Sequence, residues 1–194
     1  MVNPVTSVRV ELPAWVTSAV DWNRRYSSDE EKMALAITLS SQNVQQETGG
    51  PFAAAIFDSA TGGLLGVGVN RVVSAHNSTF HGEMAAIMMA QKKEGVFSLA
   101  AKGFRRELFT SCEPCAMCLG AILGSGVTRL ICAATGQDAR AIGFDEGPVF
   151  PESYVYLQSS GIEVTRGFLR EKAQAVLGEY SRRGGIIYSG LPQH

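Results

Sequence analysis

The stretch Thr110–Gly120, TSCEPCAMCLG, with the upstream triplet His81-Gly82-Glu83, constrains this chain more than any other feature. Cys115 and Cys118 are three positions apart, so at the start of a helix both thiols project onto one face and bind one metal ion. The partial positive charge of a helix N-terminus favours the thiolates that zinc requires. Pro114 suits the first turn of such a helix, where a missing N–H costs nothing. With His81 as third ligand, zinc keeps an open position, which marks a catalytic rather than a structural site. Glu83, two residues from that histidine, is placed to move protons on a water in the open position.

A lone Cys-x-x-Cys reads equally well as a redox pair or two buried thiols, and a lone histidine as a satisfied core or surface residue. A structural zinc would ask for a fourth Cys or His. None of these explains a proline before the pair, a glutamate two after the histidine, and an apolar helix following each half.

The 194 residues suffice for one domain with a real core, and a net charge of −1 with scattered Lys and Arg does not favour a polyanion ligand. The basic clusters at 102–106 and 182–183 read as solvated faces. Four cysteines and no signal peptide lead us to expect a reducing compartment, the cytoplasm, with Cys112 and Cys132 as core thiols. No apolar run approaches a membrane span.

In chain order, residues 1–28 read as an N-terminal extension, with a short strand over 8–12 and a helix over 15–25. A helix capped by Ser28 follows to about Gln46. Residues 52–58 and 64–69 form a hairpin, and a polar loop delivers His81 to an apolar helix reaching Lys93. Strands are expected at 107–111, 129–134 and 162–165, a second metal helix to about Leu123, and a helix over 169–182. Residues 136–148 read as a loop with one helical turn, and 186–194 as a tail with no covering partner in its own chain. The alternation implies a layered α/β domain with a mixed sheet over 29–183, followed by a tail at 184–194. By residue type alone, Phe52 is a core aromatic, Asn70 a turn residue, Asp145 a solvated loop acid and Glu113 a cap for the metal helix.

His-x-Glu followed by Pro-Cys-x-x-Cys is the signature of the zinc nucleobase deaminases. With GGPFAAAI (49–56), Asn70, TSCEPCAMCLGAI (110–122) and AIGFDEGP (141–148), the chain resembles the cytidine deaminase-like superfamily, and within it the small bacterial guanine deaminases. The zinc motifs fix only the superfamily; the discriminating piece is GFDEGP. This resemblance implies a three-layer α/β/α cytidine deaminase-like fold with a mixed five-stranded sheet. It implies one Zn2+ per chain on His81, Cys115 and Cys118, with Glu83 as proton shuttle and Glu146 as second catalytic acid. It places Phe52, Asn70, Gly82 and, from a tail that differs from the usual ending, Tyr188 against the substrate. It also implies a homodimer whose tail reaches over the neighbouring active site, acting on a small nucleobase with no nucleic acid or membrane partner. The expected reaction is guanine to xanthine plus ammonia. The alternatives are ammeline or another aminotriazine, guanosine, an adenosine in tRNA, or a non-catalytic zinc-binding homologue.

Overall fold

A computed structural model describes residues 4–188. Its centre is a five-stranded sheet of order β2-β1-β3-β4-β5, made of β1 (Ala53–Asp58), β2 (Leu64–Val69), β3 (Arg106–Cys112), β4 (Arg129–Ala134) and β5 (Glu163–Thr165). β1 runs antiparallel to both β2 and β3, whereas β3, β4 and β5 are parallel, so the sheet is mixed. Strands β1 to β3 are almost entirely buried because helices cover both faces, which is why they read as apolar runs. Alternate residues divide between two cores. Ala53, Ala55, Phe57 and Phe109 meet α2 (Asp29–Gln45) and α7 (Arg170–Arg182), joined by α1 (Trp15–Ala19). Ala54, Ile56 and Leu108 meet α3 (Gly82–Glu94), α4 (Ala116–Ser125) and α6 (Pro151–Ser159). The last helix, α5 (Gly136–Ala141), follows β4.

This register gathers one edge of the sheet. Ala54 lies opposite Thr110, so Phe52 at the start of β1 arrives beside the end of β3. Ala53 lies opposite Val69, so Asn70 leaves β2 at the same edge. Cys112 pairs with Ala134, so the loops after parallel β3 and β4 emerge side by side.

Several expectations are corrected. Residues 8–12 form no strand; the segment lies at the surface with Val10 and Leu12 half-buried, and Arg71 Nη1 donates to Glu11 O at 2.9 Å. The helix expected to Arg25 ends at Ala19, where Val20 turns extended and is buried with Val16. The helical turn expected within 136–148 falls at its start as the 6-residue α5, fixed by a capping box between Thr135 and Asp138. Helix α6 was not foreseen; its signals are Pro151 in the first turn and the buried pair Tyr154 and Leu157. Arg106 is only 3% exposed, bound to Asp58 and Glu94, and so leaves the solvated basic cluster. The tail does have cover in its own chain: Tyr180 Oη donates to Ile186 O at 2.8 Å, and Ile187 and Tyr188 pack on the core. The end of the tail expected to cross to a neighbour, residues 189–194, lies outside the described residues. Among the described residues, no helix is long and apolar enough to cross a membrane.

Candidate metal centre and active site

Two helix N-termini meet at this edge. His81 is the N-cap residue of α3 and Cys115 that of α4, each accepting the first intrahelical bond through its carbonyl. Pro114 therefore stands just before the helix rather than in its first turn. His81 Nδ1 lies 3.5 Å from Cys115 Sγ and 3.6 Å from Cys118 Sγ. Donors held by one tetrahedral zinc at about 2.1 and 2.3 Å stand about 3.6 Å apart, so this triangle fits the ion. The three donor atoms lie within 4.8 Å of one another. One thiol proton suffices for the pair: the hydrogen bond from Cys118 pulls Cys115 down to about 4 against burial, and Cys118 is raised in return. A divalent cation in the triangle replaces that proton. Burial opposes a charge on His81, but its hydrogen bond to Cys115 and the nearby negative groups hold its pKa above the usual value.

Glu83 sits in the first turn of α3 and is buried. Thr110 Oγ1 lies 3.1 Å from Glu83 Oε1, and Cys118 Sγ lies 3.5 Å from Oε2. Desolvation, then the charge of Cys115, raises its pKa. Glu146 comes from the loop after α5. Its carbonyl accepts from Ala116 N at 3.0 Å, tying that loop to the first turn of the metal helix. Burial first, then Cys115 and Glu83, push the Glu146 carboxyl up to about 8. Asp145 instead faces solvent and accepts from Gly147 N at 2.9 Å.

The cavity at the triangle is lined by Phe52, His81, Glu83, Cys115, Glu146 and Tyr188, with Phe144, Glu113 and Asp145, and has about 30 Å³ of free space. Phe52 meets Phe144 edge-on at 4.9 Å, and Phe144 meets Tyr188 at 5.1 Å. Asn70 is fully buried: its Nδ2 donates to Tyr188 Oη at 2.6 Å, and its Oδ1 accepts from Val72 N and Gly50 N at 3.3 Å each. The bond to Val72 is the turn chemistry expected of an asparagine after a strand. Gly82 is buried, with space for a Cβ only 3.0 Å from Ala53 Cα, which gives it a packing role against β1. Glu113 does not cap the metal helix. Its Oε2 accepts from Gly136 N at 2.9 Å and its Oε1 from Arg166 Nε at 2.6 Å, so it anchors the start of α5. Thr110 and Phe144 had been given no role; both lie inside the quoted motifs, which was the available signal.

The family of cytidine and deoxycytidylate deaminase zinc-binding regions matches residues 26–134, more than half of the chain. The guanine deaminase of Bacillus subtilis is 38% identical over 123 residues, 63% of this chain and 75% of that protein. A solved structure of guanine deaminase from Nitrosomonas europaea superposes with a TM-score of 0.87 at 40% identity, covering 93% of this chain and 99% of the other. A structure of NE0047 in complex with 2,6-diaminopurine superposes equally well, TM-score 0.87, at 42% identity over 93% and 96% of the two chains.

Proposed function

Because this chain belongs to the zinc-binding cytidine and deoxycytidylate deaminase family, we propose that it hydrolyses free guanine to xanthine and ammonia. The observation that carries the guanine reading is the pair of carboxyls, buried Glu83 and half-buried Glu146, lining one cavity with His81 and Cys115. His81, Cys115 and Cys118 would hold a zinc ion, which would supply the Lewis acidity that lets water lose a proton near neutral pH. In this reading Phe52 and Phe144 wall the ring faces, and Gly82 lends backbone rather than side chain. Asn70 Nδ2 exchanges its bond to Tyr188 for one to the base edge. Glu83 takes a proton from the attacking water as the new C2–O bond forms, and passes it to the adjacent ring nitrogen. Glu146, protonated below about 8, gives its proton to the exocyclic amine as the C2–N bond breaks. Ammonia leaves and the remaining water proton restores the acid, so guanine plus water balances xanthine plus ammonia.

The relatives named as guanine deaminases support the substrate, and the net charge of −1 favours a small base over tRNA, whose phosphates ask for a basic face. We place the protein in the cytoplasm on its four free cysteines. A homodimer is supported by apolar side chains standing exposed on neighbouring helices, Met88 of α3 and Leu123 of α4. Residues 1–28 remain in this proposal an extension of the catalytic unit at 29–183, with the tail from 184 as its cover. The test is ammonia release from guanine, guanosine, ammeline, adenine, cytosine and cytidine. Guanine is expected to give the highest kcat/KM, and preference for any other of the six overturns the assignment.

A further inference from the structure

One chain of polar side chains, running from half-buried Trp15 to buried Asn43, takes no part in the chemistry above, and it begins outside the family-matched region. Trp15 Nε1, in α1, donates to Thr48 Oγ1 at 3.0 Å. Thr48 Oγ1 donates to Asn43 Oδ1 at 2.7 Å, and Asn43 Nδ2 donates to Gly50 O and Asn70 O at 2.8 Å each. An indole N–H only donates, so Thr48 receives it on a lone pair and keeps its single proton for Asn43. That fixes which face of the Asn43 amide carries oxygen, and both amide protons then go to the two carbonyls. Asn43 is 0% exposed, so its own bonds to Gly50 O and Asn70 O are shielded from water.

The chain ends on Asn70. With Asn43 on its carbonyl and its own N–H donating to Phe52 O at 2.9 Å, the Asn70 backbone is held from two sides. Gly49 completes the cradle, since a Cβ there would fall 1.8 Å from Asn70 O. With that backbone fixed and Gly50 N and Val72 N both donating to Oδ1, Nδ2 is turned toward Tyr188, which lines the cavity. We propose that α1 is a positioning element for the substrate site: Trp15, Thr48 and Asn43 orient Asn70 toward the base edge. This rests on the reading of Asn70 as a substrate contact.

The test combines Trp15→Phe, which keeps the ring and removes the donor, with the near-isosteric Thr48→Val. Each is made alone and with Asn70→Ala. Three quantities are read: KM and kcat for guanine, zinc per chain, and the Kd for 2,6-diaminopurine in a Glu83→Gln background that does not turn over. Each single variant is expected to raise KM and Kd about two- to tenfold, the worth of one neutral hydrogen bond, with kcat and zinc content unchanged. In the Asn70→Ala background neither should add anything, because the effect passes through Asn70. If Asn70→Ala weakens binding while Trp15→Phe and Thr48→Val do not, or if the effects simply add, the positioning role is overturned. If Asn70→Ala leaves the Kd intact, the reading of Asn70 fails and this proposal falls with it.

Discussion

Gly68→Ala tests how the site depends on the packing of α3 against β2. A Cβ at Gly68 would lie 2.0 Å from Gly82 O, 2.5 Å from Ala86 N and 2.8 Å from Ala85 Cβ. The first two are backbone atoms, so no rotamer relieves the clash. Close-packed interiors keep such contacts above about 3 Å, so α3 must move away from the sheet by about 1 Å. Overpacking of this kind costs about 1–3 kcal/mol and occasionally more, and the upper end is expected because backbone meets backbone. At about 2–4 °C per kcal/mol for a chain of this size, Tm should fall by about 6–12 °C. The first turn of α3 carries His81 and Glu83, so the same shift misplaces a ligand and the proton shuttle together. A misplacement of about 1 Å is enough for about a hundredfold loss in kcat. The assays are thermal unfolding, zinc per chain and initial rates. The control is Gly178→Ala in α7, where the new Cβ meets only the flexible end of Arg182 at 3.2 Å; it should be neutral or stabilising by up to about 1 kcal/mol. A Gly68→Ala protein that melts within about 2 °C of the parent, with kcat within about twofold, would refute the reasoning.

Glu83→Gln should keep fold and zinc while lowering kcat by about 10²–10⁴-fold or more, because the same carboxyl moves protons twice; activity within a few-fold of the parent removes it from the mechanism. Cys115→Ala should lose zinc by elemental analysis, whereas Cys112→Ser, whose buried thiol donates to Thr135 O at 3.6 Å, should retain it. Glu146→Gln should lower kcat strongly with zinc unchanged, Glu146→Asp should retain more, and the exposed Asp145→Asn should be milder; normal turnover by Glu146→Gln ends its role as second acid. Asp138 is held below the usual carboxylate range, first by its hydrogen bonds from Arg170 and then by those from Thr135, which outweigh burial. Its contribution is thus fully present above the unfolded value of about 3.9 and is lost as pH falls through the lower folded value. The stability gap between the parent and Asp138→Asn should be flat near neutrality and narrow in acid. A gap that widens in acid contradicts that sign.

What the sequence determined by itself was local in origin. The spacing of Cys115 and Cys118, the Glu two after His81 and the helix cap at Ser28 each record the preferences of a single turn, and turns form where their residues say. The bounds of β2 and β4 were legible because helices cover both faces of the sheet, which makes these strands apolar along nearly their whole length, even though β2 lies at the edge. The convergence of His81 with cysteines 34 and 37 residues away was legible only because zinc chemistry demands a third ligand. Where no such demand exists, the tertiary structure alone decided. Glu113 and Arg106 look like surface charges in the chain, yet one anchors α5 and the other is buried between Asp58 and Glu94. Asn43 and Trp15 carry no local signal at all, since their partners are fixed by how α1 and α2 lie against the turn after β2. Tyr188 meets Asn70 across 118 residues for the same reason. A hydrogen-bond partner at long range is set by sheet order and helix packing, and those depend on the whole chain rather than on any window of it.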